Sequence, residues 1–146
     1  MSAANETTVV TVERQGAVAI IWLNRPEVLN AFSLAVNSAL IAALEEADQD
    51  ETGGAMVLAG RGRAFSAGAD RELLAQLEHA GRAQRVAALE LGARVTHAML
   101  HAETPIIAAV QGYAVGGGLS LALAADIVLA AEGTVFFIPE VELGVP

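Results

Sequence analysis

Three consecutive glycines, Gly116 to Gly118, stand between the apolar run PIIAAV and the apolar segment LSLALAADIVLA. No other feature narrows the fold as far. A short buried strand must run into a turn that other backbone can approach closely, because no β-carbon is in the way, and the chain must then continue as a helix. Peptide N–H groups at a helix start point outward without acceptors, and the helix dipole favours negative charge there. Pro139 and Glu140 follow after a further apolar stretch. That order suits a site in which backbone N–H groups hold a developing anion while a carboxylate moves a proton.

The rest of the chain reads as strands alternating with helices. Residues 8–13 and 17–23 are β-rich runs around a turn at Gly16, and Asn24, Arg25 and Pro26 end the second. Ser33 is placed to cap a helix over residues 34–48, with Val36, Leu40, Leu44 and Ala47 on one face. Gly53 and Gly54 stop it, and residues 55–59 form a short buried strand. Helical spacing returns over residues 71–78 and 82–102, where Val86, Leu89, Ala93 and Leu100 share a face. Pro105 closes that helix and starts a strand over residues 106–110. The pattern predicts a single α/β domain.

Composition excludes several classes. The 146 residues suffice for one core, and the hydrophobic fraction of 54% exceeds the roughly 45–50% of ordinary soluble domains. No apolar run reaches the roughly 18–20 residues of a membrane span. The start, MSAANETTVV, has neither a basic region nor an apolar core, so a cytoplasmic location without a signal peptide is expected. Cysteine is absent, which removes disulfides and thiolate chemistry. A net charge of −9 argues against nucleic acid as partner. The cations are all arginine, and Arg61, Arg63 and Arg71 crowd into one stretch that suits a phosphorylated small ligand.

The blocks NRPEVLNAF, GRGRAFSAGAD, PIIAAVQGYAVGGG and ADIVLAAEGTVFFIPEVELGV, in that order over residues 24–145, resemble the successive signatures of the enoyl-CoA hydratase/isomerase (crotonase) family. The resemblance implies a crotonase-like spiral of β-β-α units over residues 8–146, after a flexible tail of residues 1–7. It implies an acyl-CoA thioester as substrate, with coenzyme A as part of that substrate and no separate cofactor or metal, in fatty acid metabolism. It also implies a homo-oligomer, a trimer or hexamer. Chains of the family are usually much longer, so the spiral is expected to be incomplete at its C-terminal side, with part of the acyl pocket and of the subunit contacts lacking.

Carried over position by position, the resemblance implies Ala67 and Gly117 as backbone N–H donors to the thioester oxygen and Glu140 as proton shuttle. It implies Ala69, Asp70, Gly116, Ser120, Arg25 and Arg63 as substrate-binding residues. One departure matters. Family hydratases carry a second Glu two residues after the glycine triplet, where this chain has Ser120. A hydroxyl that hardly ionises near neutrality cannot replace a carboxylate as base. Moving a double bond needs only one base, which lifts a proton from one carbon and returns it to another. The expected activity is therefore enoyl-CoA isomerisation, with hydration of a 2-enoyl-CoA, a lyase reaction, as the alternative. A weakly catalytic acyl-CoA-binding subunit is the third reading.

Other constellations point elsewhere only weakly. Ser66 lies outside a G-x-S-x-G elbow. His97 and His101 lack an H-E-x-x-H context, and the glycine segments have neither P-loop nor dinucleotide spacing. On a strand Glu142 would face the same side as Glu140, which makes it a reserve base.

Overall fold

The computed structural model describes residues 8–139 and 141. Strands β1 (Val10–Gln15) and β2 (Val18–Leu23) form a hairpin about Gly16, whose φ of 59° takes the left-handed turn that glycine tolerates. Helix α1 (Leu34–Asp48) leads to β3 (Ala55–Gly60), and α2 (Arg71–Glu78) and α3 (Arg82–Leu100) lead to β4 (Ile106–Val110). Then come β5 (Tyr113–Val115), α4 (Gly117–Leu123), β6 (Ile127–Ala130) and β7 (Val135–Phe137). One sheet has the order β1-β2-β3-β4-β6, parallel except for the edge strand β1, and β5 pairs with β7 in a second, parallel sheet.

Alternation along the strands sets the core. Ala19, Ile21 and Leu23 of β2, Met56 and Leu58 of β3, and Ile106, Ala108 and Val110 of β4 turn one face inward. Val36, Leu40, Leu44 and Ala47 of α1 are buried, as their spacing predicts. Ser33 caps this helix, its Oγ accepting from Val36 N–H at 3.2 Å. At the other end Asp48 accepts the Thr104 N–H at 2.8 Å, which ties α1 to the entry of β4 and holds the Asp48 carboxyl below its usual range.

Helix α3 corrects the reading of its face. Val86 and Leu89 are exposed, as is Leu100 at 64%, whereas Val95 and Met99 are buried and Leu91 and Ala98 pack on the core. Apolar residues occur on two sides of this helix, so spacing alone does not choose between them; contact with α1 does. The helix also stops two residues before its expected end. The predicted tail of residues 1–7 lies outside the described residues.

Three loops leave the same edge of the sheet, after Leu23, Gly60 and Val110 at the carboxyl ends of β2, β3 and β4. Ligands of open parallel sheets gather at such an edge. Ile127 and Leu129 of β6 and Phe136 of β7 are exposed apolar residues. Among the described residues no helix is long and apolar enough to cross a membrane.

Candidate active site

The loop after β2 is built around Asn30. Leu29 and Asn30 both have positive φ, 54° and 55°, and Asn30 is 1% exposed. Its Oδ1 accepts the Arg25 N–H at 2.8 Å, and its Nδ2 donates to the carbonyls of Arg61 at 2.9 Å and Ala64 at 2.8 Å. One buried amide thus clamps the first loop to the second. Ser66 extends the clamp: its hydroxyl, fully buried, donates to the Asn30 carbonyl at 2.9 Å and accepts the Gly68 N–H at 3.1 Å. A hydroxyl spent in this way is no nucleophile.

The second and third loops meet backbone to backbone. Ser66 and Ala114 form a bridge, with Ser66 N–H donating to Tyr113 and Val115 N–H donating to Ser66, each at 3.0 Å. Gly68 has φ 83°, and a β-carbon on it would lie 2.6 Å from the Val115 carbonyl oxygen and 3.4 Å from the Gly117 nitrogen. Gly116, with φ 50° and ψ −117°, turns the chain into α4 in a conformation only glycine holds at ease. Its N–H donates to the Phe137 carbonyl at 2.8 Å, which brings the end of β7 to the glycine turn.

Ala69 and Gly117 each have an N–H without an acceptor among the described residues, as do Gly118 and Leu119 in the first turn of α4, whose first bond runs from Ser120 to Gly116. Gly117 opens α4, where no carbonyl precedes it in register. Ala69 bridges Phe32 only through its neighbours: Phe32 N–H donates to Gly68 and Asp70 N–H donates to Phe32. Ala67 is different. Its N–H donates to the Leu29 carbonyl at 2.9 Å, so the expectation that Ala67 supplies a free donor is corrected, and the free N–H lies two residues on, at Ala69.

Arg25 fixes loops: its Nη1 donates to Asp70 at 2.6 Å and to the Ala31 carbonyl at 2.9 Å. Asp70 in turn caps α2, accepting the Glu72 N–H at 2.8 Å. The Arg25 hydrogen bond, before all else, holds the Asp70 carboxyl below its usual range. Paired in this way, the carboxylate beside Ala69 does not repel an incoming anion.

Ala69, Asp70, Arg63 and Arg71 line an open cleft of about 510 Å³. Among the described residues neither Arg63 nor Arg71 forms an ion pair, whereas Arg61 pairs with Glu13 and stacks on Trp22, 3.9 Å from the ring centre. Of the three clustered arginines, two therefore face the cleft uncommitted. Gly117 and Ser120 line a separate cavity of about 210 Å³ against α1 and α3. The Ser120 hydroxyl lies 3.4 Å from the Gly116 carbonyl, and no carboxylate lines that cavity among the described residues. Glu140 and Glu142 lie outside the described residues. His97 and His101 stack on the surface with ring centres 3.9 Å apart, and no group of three metal-ligating side chains converges among the described residues.

Sequence pattern alone does not mark Asn30 and Ser66 as clamps. Asn before a small residue in NAF is the available signal, since Asn is the non-glycine residue that best tolerates positive φ.

The sequence profile described as enoyl-CoA hydratase/isomerase matches residues 13–146. A Mycobacterium tuberculosis protein named "probable enoyl-CoA hydratase" is 42% identical over 137 residues, which cover 93% of this chain and 51% of that protein. The 2,3-dehydroadipyl-CoA hydratase of Escherichia coli is 38% identical, with 92% and 51% covered. A solved enoyl-CoA hydratase structure from Shewanella pealeana superposes with TM-score 0.91 at 31% identity, over 96% of this chain and 53% of the other. The chain spans about half the length of the curated relatives it matches.

Proposed function

The chain belongs to the enoyl-CoA hydratase/isomerase family, and from that membership we propose that it acts on an acyl-CoA thioester by way of an enolate anion held between the Ala69 and Gly117 N–H groups. The observation that carries this reading is the pair of N–H groups without acceptors on two segments in backbone contact. Removing the proton beside a thioester puts negative charge on its oxygen. Each donor preplaced there contributes about 3 kcal/mol in comparable sites. Arg63 and Arg71 bind the phosphates from the neighbouring cleft.

Glu140 is the base. Phe137, which accepts from Gly116, is three residues before it, within about 10 Å of extended chain. In a 3-enoyl-CoA the carboxylate takes a proton from C2, the electrons move to the thioester oxygen as a dienolate, and the same carboxyl returns the proton to C4. The product is the 2-enoyl-CoA. Ser120 supports isomerisation over hydration, because the cavity beside Gly117 offers no second carboxylate among the described residues. Hydration is the second reading, favoured by relatives named as hydratases. Turnover of a 3-enoyl-CoA beside a 2-enoyl-CoA of equal length separates them: isomerisation predicts faster conversion of the first, and faster consumption of the second by water overturns it. The exposed apolar residues of β6 and β7 further support self-association.

A further inference from the structure

The cavity that Gly117 shares with α1 and α3 contains a polar side chain the proposed chemistry does not use. Asn37 of α1 is 8% exposed as a residue, yet its amide is not sealed off without a partner, a state that among the described residues belongs to Trp22 Nε1. The amide carries two donors and two acceptor sites. It lines the cavity. Gly92 lies opposite: a β-carbon there would come 3.9 Å from the Asn37 Nδ2, so the missing side chain keeps the space before the amide open. Thr96, one turn further along α3, and Ser120 of α4 also line it. The Thr96 hydroxyl is unpaired among the described residues, and Ser120 makes only its long contact with Gly116. No charged side chain lines this cavity among the described residues.

We propose that Asn37, with Thr96 and Ser120, forms a polar pocket beside Gly117 that selects acyl chains bearing a neutral oxygen, a hydroxyl or a ketone, close to the thioester. This rests on the reading that the thioester oxygen sits at Gly117. The acyl carbons nearest the thioester then enter the adjoining cavity of about 210 Å³, room for roughly seven water-sized groups. A plain alkyl chain there leaves the Asn37 amide buried without a partner, whereas a chain oxygen satisfies it. A site built to hydrogen-bond an oxygen discriminates strongly against the analogue lacking it. The absence of a charged lining residue favours a neutral group over a second carboxylate.

The test uses isosteric saturated thioesters that cannot isomerise or hydrate: 3-oxobutyryl-CoA against 3-methylbutyryl-CoA, and 4-oxopentanoyl-CoA against 4-methylpentanoyl-CoA, titrated calorimetrically into the 146-residue chain. In at least one pair the oxo compound should bind about tenfold tighter. Asn37→Leu, which keeps the volume, should abolish that preference while leaving the methyl compound bound as well or better. Thr96→Val, nearer the rim, should reduce it and serves if Asn37→Leu fails to fold. Equal or tighter binding of the methyl compounds in both pairs, or a preference that survives in the folded variants, overturns the proposal. Binding of none of the four overturns the acyl-CoA reading itself and the pocket with it.

Discussion

Gly118 stands so close to Ser66 that a β-carbon on the glycine would lie 2.6 Å from the serine carbonyl oxygen and 2.9 Å from its β-carbon. The glycine turn and the FSAGAD loop are therefore held together by main chain, and the distance between the two proposed anion donors depends on that contact. Gly118→Ala forces the loops apart. Overpacking of this kind costs about 1–3 kcal/mol, so the melting temperature should fall by roughly 2–10 °C. Turnover should fall by more than the lost stability explains, read on protein kept well below its melting point.

Asp70 and Arg25 give a pH dependence whose sign follows from their contact. The Asp70 carboxyl is lowered in the folded chain, so its contribution is complete above the unfolded value of about 3.9 and is lost as pH falls through the lower folded value. Asp70→Asn, which keeps a capping oxygen and removes the charge, should flatten that acid limb of the stability curve. Asp70→Ala should cost about 1 kcal/mol more by removing the α2 cap as well. Chemical denaturation between pH 6 and roughly pH 3 reads both.

Ser120→Glu restores a second carboxylate beside the glycine turn. Hydration of a 2-enoyl-CoA should rise relative to isomerisation of a 3-enoyl-CoA, compared on the same protein preparation. An unchanged ratio would mean that Ser120 does not limit water addition.

Arg63→Ala and Arg71→Ala should each weaken coenzyme A binding several-fold and make it less sensitive to salt, since exposed charges are screened within about 8–10 Å at physiological ionic strength. Arg61→Ala should leave that binding nearly unchanged, because Arg61 is already engaged by Glu13 and Trp22. Calorimetry at two salt concentrations distinguishes the three.

Much of this fold could be read before the structure because local signals and tertiary contacts agree. Ser33 before an apolar period marks α1, Pro105 marks the entry to β4, and α2 spans residues 71–78 as its spacing predicts. The buried face of α3 could not, since Leu89 and Val95 are equally apolar and only α1 distinguishes them. At the site, the glycine triplet announces close backbone approach, but no pattern says which N–H is spent. Ala67 and Ala69 are chemically identical, and the Leu29 carbonyl, from another loop, takes one and leaves the other. Arg25 illustrates the same limit, because its partner Asp70 lies 45 residues away.

Solvent deuterium at the carbons next to the thioester tests the enolate and its single base together. With a 3-enoyl-CoA in heavy water, mass spectrometry should find deuterium entering C2 and C4 in the presence of the wild-type chain, and Glu140→Gln should slow this by roughly 100-fold while coenzyme A binding persists. Neither isomerisation nor exchange above the rate in buffer alone, or exchange undiminished in Glu140→Gln, would contradict the account.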